Sequence, residues 1–250
     1  MGGLMRAARA LVCATVALPL LAGCAGSDGG ESPTSLPPLP ARATAAATAG
    51  AGPITDPARL KAALLTTTDL PTGFAPLADP VQDLGLPPAP EYDAADRSST
   101  DPQACAAVLR EVADQAPGST ARAVARFGGP DFTSIDIDAA SYPDGGAAAA
   151  LNRVQDTLSG CTEYRGTDAD GFEVQYRLGG LDQPAVGDAS VAVRLLTSSD
   201  GVTMTSDVII AQVGSTLVQL VASGQQPIGQ DLLTRLARTA ADRVGAAAPV

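Results

Sequence analysis

The sequence predicts an α+β domain: an antiparallel β-sheet meander with three to four helices packed on one face and one disulfide. Stretches that alternate apolar and polar residues are joined by tight turns, and strands so joined pair antiparallel. Segments with apolar residues at helical spacing lie before, between and after them. Two cysteines within that domain are placed to bridge.

The chain opens with an address. Arg6 and Arg9 lie in a short basic start free of acidic residues, and an apolar run follows from Ala10 to Leu21. That is the length of a signal-peptide core and too short for a comfortable membrane span. The run ends in Leu21-Ala22-Gly23-Cys24. This resembles a bacterial lipobox, in which the cysteine receives a diacylglyceryl thioether and becomes the new N-terminus. Residues 1–23 are then a lipoprotein signal peptide, Cys13 leaves with it, and Cys24 is the lipidation site. The competing readings are a secretory peptide with a chance cysteine and a signal-anchor helix. Gly23, Gly26, Gly29 and Gly30 end the apolar run early for the second. Two palmitate-type acyl chains anchor stably where one is marginal. The expected location is the extracytoplasmic face of the cell membrane, reached through the N-terminal lipid.

Residues 24–53 read as a disordered tether. Pro33, Pro37, Pro38 and Pro40 favour an extended chain, and residues 41–52 are almost all alanine, threonine and glycine. Such a composition buries too little apolar surface to offset chain entropy. The proline part is semi-rigid and the rest flexible, a spacer between membrane and domain. Thr34, Ser35, Thr44 and Thr48 are candidate O-glycosylation positions, as on Ser/Thr-Pro-rich stalks.

Residues 54–250 hold a single domain. Asp56-Pro57 opens a helix, a capping carboxylate before a first-turn proline, and Leu60, Ala63 and Leu64 recur at helical spacing. Residues 79–96 are rich in proline and acid, an irregular loop pinned by Leu84, Leu86 and Tyr92. Asp101-Pro102 repeats the helix-start signal, and Cys105, Val108, Leu109 and Val112 form one buried stripe that stops by Pro117-Gly118. Residues 122–142 give two strands interrupted at Gly128-Gly129-Pro130. In the second, Ile135 and Ile137 face one way and Ser134, Asp136 and Asp138 the other. A helix opened by Asp144 buries Ala147, Leu151, Val154 and Leu158 and ends at Gly160.

The C-terminal third is the meander. Residues 172–178 alternate, with Phe172, Val174 and Tyr176 on one side, and residues 191–196 follow. Ser198-Ser199-Asp200-Gly201 is a hairpin turn, because Asp-Gly supplies positive φ angles. Residues 202–213 form a long strand, Gly214-Ser215 turns it, and residues 216–222 return. A helix over 229–244 closes the chain with the stripe Leu232, Leu233, Leu236, Ala237 and Ala240. Asp231 in its first turn and Arg235, Arg238 and Arg243 further on suit the helix dipole.

Composition excludes more than it identifies. The chain has no histidine, which removes Ser-His-Asp and Cys-His arrangements and the usual zinc sites. It has no tryptophan and 3% aromatic residues, against an aromatic platform for sugars. Loss of Arg6 and Arg9 leaves 14 basic against 27 acidic residues, about −13. That surface repels nucleic acid and anionic headgroups, so no nucleic-acid partner is expected. With Cys13 and Cys24 assigned, Cys105 and Cys161 remain and pair in an oxidising compartment. The bridge closes a loop of about 57 residues, stabilising by about 4 kcal/mol in the loop-entropy model. The rival reading, a redox pair, lacks a Cys-x-x-Cys motif.

The remaining constellations are weak. Asp168-Ala169-Asp170-Gly171 hints at a calcium loop but lacks the further acidic ligands, so a strand-initiating turn is favoured and no metal or cofactor is expected. Asp136 and Asp138 share a face and are candidate acid–base carboxylates, though alternate polar residues on a half-exposed strand have this pattern by default. Thr203, Thr205 and Asp207 share one face of the long strand, with Gln219 nearby, and are candidate ligand-facing positions.

Leu64 to Phe74 reads Leu-Leu-Thr-x-x-Asp-Leu-Pro-x-Gly-Phe, and a helix-borne Cys105 precedes Cys161 after the next helix. With the lipobox and tether, this resembles the actinobacterial lipoproteins of the PknH-like extracellular domain group. The resemblance implies a sensor-like α+β domain with a cleft in front of an antiparallel sheet and no established catalysis. The kinase member of that group has two disulfides; only one is available here, so part of the cleft wall differs. The expectation is a non-enzymatic lipoprotein that binds a small ligand or a cell-envelope protein. The alternatives are a carboxylate-dependent envelope hydrolase using Asp136 and Asp138, and a structural protein of envelope assembly.

Overall fold

The computed structural model describes residues 35–45, 52–79, 85–87 and 97–249. The signal peptide, Cys24, Thr34, Thr48, Leu84 and Tyr92 lie outside the described residues.

Nine strands of the described residues form one antiparallel sheet: β1 (Ala75–Pro76), β2 (Ser99–Asp101), β3 (Ala121–Gly128), β4 (Ser134–Ser141), β5 (Glu163–Thr167), β6 (Glu173–Gly180), β7 (Ala189–Ser199), β8 (Val202–Val213) and β9 (Thr216–Gly224). Their spatial order is β1-β3-β4-β9-β8-β7-β6-β5-β2. The longest strands are central and the edge strands are two and three residues long, which limits exposed edge. Four α-helices accompany them: α1 (Pro57–Ala62), α2 (Val112–Gln115), α3 (Gly146–Gly160) and α4 (Gln230–Ala247). No described helix is long and apolar enough to cross a membrane.

The α+β class and the disulfide are as expected, but the helices are not all on one face. Ile209 and Ala211 of β8 pack with α1 and α4, whereas Val208 and Ile210 pack with α2 and α3. Both sides of the central strands are therefore buried. The runs Val208–Ala211 and Leu217–Ala222 are wholly buried, save that Gln219 interrupts the apolar sequence of the second. Near-continuous apolar runs belong to strands covered on both faces. Each buried leucine of the α4 seam, such as Leu233 and Leu236, contributes about 1.5–3 kcal/mol on removal from water.

Local chemistry explains the start of α1. The Asp56 carboxylate accepts the Ala58 amide and Pro57 is the first residue of α1. Arg243 of α4 forms two hydrogen bonds to Asp69, at 2.7 and 2.6 Å, and one to the Leu64 carbonyl. Burial opposes the Asp69 charge, yet hydrogen bonds from Thr66 and the Arg243 guanidinium hold this carboxyl below its usual range. The Leu64–Phe74 phrase thus docks the turn after α1 onto α4.

Several expectations need correction. The helix expected from Asp101 to Pro117 is a 3₁₀ turn, Gln103–Ala107, followed by the four-residue α2. The Arg110 carbonyl between them accepts the side-chain amides of Gln115 and Gln219, so it does not continue a helix. Asp144 does not cap α3; it lies at φ 49° and Gly145 precedes the helix. Leu86 is exposed and pins nothing. β1, β2 and β5 form where no strand was expected. Finally, the boundary at Pro53 is too late: Ser35–Val250 forms one unit, and residues 35–45 lie on the domain instead of belonging to a free tether. Leu36 and Pro37 approach Gly179, and the Pro37 carbonyl accepts the Gly180 amide at 2.9 Å. Local composition does not reveal such non-local contacts.

Candidate functional site

The sequence-predicted positions do not assemble. Thr203, Thr205 and Asp207 point to the side of the sheet that carries Ile209 and α4, while Gln219 alternates with Val218 and Leu220 and points to the α2 side. Nor are the first three a free surface. Asp207 is fully buried and accepts two hydrogen bonds from Arg194 of β7, at 2.6 and 2.8 Å. Thr205 is buried, and the Thr203 hydroxyl shares a hydrogen bond with Ser198.

Asp138 and Gln219 instead fasten α2. They are paired across β4 and β9. Asp138 Oδ1 accepts the Val112 amide at 2.7 Å, and Oδ2 accepts Gln219 Nε2 at 3.0 Å. Gln115 Nε2 donates to Gln219 Oε1 at 3.0 Å. The Tyr142 hydroxyl donates to the Ala116 carbonyl at 2.7 Å, at the other end of α2. Burial, with some help from Glu111, pushes the Asp138 carboxyl up to about 7 against the hydrogen bonds that favour its charge. Asp136 shares the face, as expected, but is half-buried and occupied by Ser134 and the Arg126 guanidinium. Burial raises its carboxyl too. Asp138 has both oxygens committed to protein donors, so this pair is a structural clasp and does not flank a substrate cleft in the manner of glycosidase carboxylates.

The same side of the sheet carries a different cluster. Tyr164 of β5 and Tyr176 of β6 sit directly opposite each other in register. Their rings stack with centroids 4.4 Å apart and planes 8° apart. The Gln103–Ala107 turn lies beside them. It is held there by the bridge from Cys105 to Cys161, the residue that caps the C-terminus of α3. Between turn and rings is a cavity of about 470 Å³, lined by Ser99, Gln103, Leu109, Tyr164, Tyr176 and Leu195 among others, none of them charged. That volume lies in the range of small-molecule sites. Burial raises the pKa of both phenols, so both stay protonated donors. Neither hydroxyl hydrogen-bonds to any of the described residues. The remaining hydroxyls are partly engaged: Ser99 with Thr167, and Thr100 with the Gln103 carbonyl.

This arrangement suits an uncharged molecule whose apolar body lies against the ring pair, Leu109 and Leu195 and whose acceptor atoms meet the phenols. No cluster of three or more metal-ligating side chains occurs among the described residues. The Asp168–Gly171 stretch is a turn, as favoured, with Asp168 Oδ1 accepting the Phe172 amide. Sequence reading placed Tyr176 on a strand but not Tyr164. The available signal was symmetry: both tyrosines lie six residues from Asp170 in the turn that joins β5 to β6.

No protein-family model and no curated protein matches the chain. Among solved structures, it is similar to the extracellular domain of PknH from Mycobacterium tuberculosis, with a TM-score of 0.58 and 15% sequence identity over 79% of this chain and 100% of that one. A putative uncharacterized protein, the Rv0999 ortholog from Mycobacterium smegmatis, matches at a TM-score of 0.34 and 16% identity over 75% of this chain and 97% of that one. The nine-stranded sheet with its flanking helices is thus a PknH-like fold.

Proposed function

We propose that this chain is a lipid-anchored, extracytoplasmic lipoprotein whose non-catalytic, sensor-like domain binds a small uncharged ligand in the tyrosine cavity. The observation that carries the reading is the uncharged cavity between the Tyr164–Tyr176 stack and the disulfide-tied turn, with two phenols that have no partner among the described residues. The likeness to an extracellular domain supports the extracytoplasmic placement, and Leu21–Cys24 supports the lipid anchor. A disulfide suits an oxidising compartment.

Native mass spectrometry of the mature protein, purified from its own secretory pathway, tests the ligand. A co-purifying uncharged molecule is the expected result. An apo mass that no uncharged small molecule shifts contradicts the reading. The anchor is tested separately: Cys24→Ser is expected to move the protein from the membrane fraction to the soluble one.

A further inference from the structure

Residues 36–45 lie in a groove with the features of a peptide site. Its first wall is the edge of β6. Up to Leu178 that edge is occupied by the β5 hairpin, and the Leu178 amide donates to the Thr162 carbonyl. Two residues on, the Gly180 amide donates to the Pro37 carbonyl instead. A Cβ on Gly179 would stand 2.5 Å from the Pro37 oxygen, and one on Gly180 2.4 Å from the Pro38 oxygen. The glycine pair therefore leaves room for a second backbone where any side chain would exclude it.

The other wall is α3. Gln155, only 6% exposed, clasps one residue of the segment from both sides. Its Oε1 accepts the Ala43 amide at 2.7 Å and its Nε2 donates to the Ala43 carbonyl at 3.1 Å. Such a reciprocal pair reads extended backbone, not side-chain identity. Arg42 is read separately, by Asp156 at 2.6 Å and the Asn152 carbonyl at 2.7 Å. Leu158, Val191 and Val193 form an apolar floor under Leu39 and Pro40. The segment does not fill the groove: a cavity of about 240 Å³ remains between it and that floor.

We propose that this groove is a binding site for an extended, proline-containing peptide with an arginine three residues after a leucine, and that the chain's own Leu36–Ala45 segment occupies it as an intramolecular ligand. A partner segment of the same chemistry, with a larger apolar side chain to fill the remaining cavity, exchanges with it. The inference is independent of the tyrosine cavity. An intramolecular occupant acts at an effective concentration on the order of millimolar, so the native chain is closed to weak competitors.

The test uses the full chain and a fluorescein-labelled peptide of residues 35–45. Wild type is expected to bind it at least tenfold more weakly than a Leu39→Asp/Arg42→Glu variant, whose segment is weakened and whose groove is intact. Adding Gln155→Ala to that variant is expected to weaken binding again by at least tenfold. Equal binding by wild type and the double variant, or no loss with Gln155→Ala, overturns the proposal. A second measurement needs no variant. Millimolar unlabelled peptide is expected to speed hydrogen exchange at the Ala43 amide of the wild-type chain while Gly180 stays protected, because the incoming carbonyl replaces that of Pro37. Unchanged exchange at Ala43 overturns the proposal as well.

Discussion

Two polar clusters on one side of the sheet end in opposite ways. Under α2, Asp138 is buried and both its oxygens are committed, one to the Val112 amide and one to Gln219. Beside the disulfide, Tyr164 and Tyr176 are only half-buried and their hydroxyls have no partner among the described residues. A buried carboxyl with a raised pKa is a common marker of catalysis, yet here the rise comes from burial beneath α2 and is opposed by the hydrogen bonds from Val112 and Gln219. The phenols have perturbed pKa values for the same reason, burial, but they line a cavity. A shifted pKa thus locates burial, whereas uncommitted donor atoms beside space locate a binding site.

The disulfide separates the two clusters most strongly. Cys105→Ser with Cys161→Ser is expected to lower stability by about 4 kcal/mol, measured by denaturant unfolding. It should also release the Gln103–Ala107 turn and abolish ligand binding while the strands around Asp138 keep their order in hydrogen exchange. A smaller effect comes from pH. Burial pushes the Asp138 carboxyl of the folded chain up to about 7 from its ordinary 3.8. Between those values the folded chain holds the extra proton, so this group's contribution favours folding at acid pH and is lost as pH rises towards 7. Stability should increase by on the order of 2–3 kcal/mol from pH 8 to pH 5. Asp138→Asn should flatten that slope, with Asp136 leaving a weaker slope of the same sign.

Smaller again is Gln155→Ala. Loss of two hydrogen bonds to Ala43 should cost about 1–2 kcal/mol and open the Arg42–Ala43 bond to trypsin. The smallest effect on stability is expected at the phenols. Tyr164→Phe and Tyr176→Phe each remove a hydroxyl without a protein partner among the described residues, so melting should shift by less than about 0.5 kcal/mol equivalent. Ligand affinity should nevertheless fall roughly tenfold for the pair, because each hydrogen bond is worth about 0.5–1.5 kcal/mol.

Where local chemistry decides the structure, the residues could be read directly. Asp200-Gly201 forms the expected turn, at φ 47° and 77°, and β8 spans the residues expected for it. Cys105 and Cys161 pair as their elimination from other roles implied. The helix placement was also legible but was missed: Val208-Ile209-Ile210-Ala211 is an unbroken apolar run, and a strand with one solvated face does not carry one. Other features depend on partners distant in sequence. The stripe from Cys105 to Val112 looks like one helix until the Arg110 carbonyl meets Gln219, 109 residues away. Pro37 and Pro38 look like a linker until Gly179-Gly180 receives them. Tyr164 becomes a site residue only when the hairpin brings Tyr176 against it.

The most direct test is native mass spectrometry of three proteins side by side: wild type, Tyr164→Phe/Tyr176→Phe and Asp138→Asn. Wild type and Asp138→Asn are expected to carry the same bound uncharged molecule, and the tyrosine variant to lose it while remaining folded. Retention by the tyrosine variant with loss from Asp138→Asn would instead move the binding site to the carboxylate cluster and overturn the tyrosine-cavity reading.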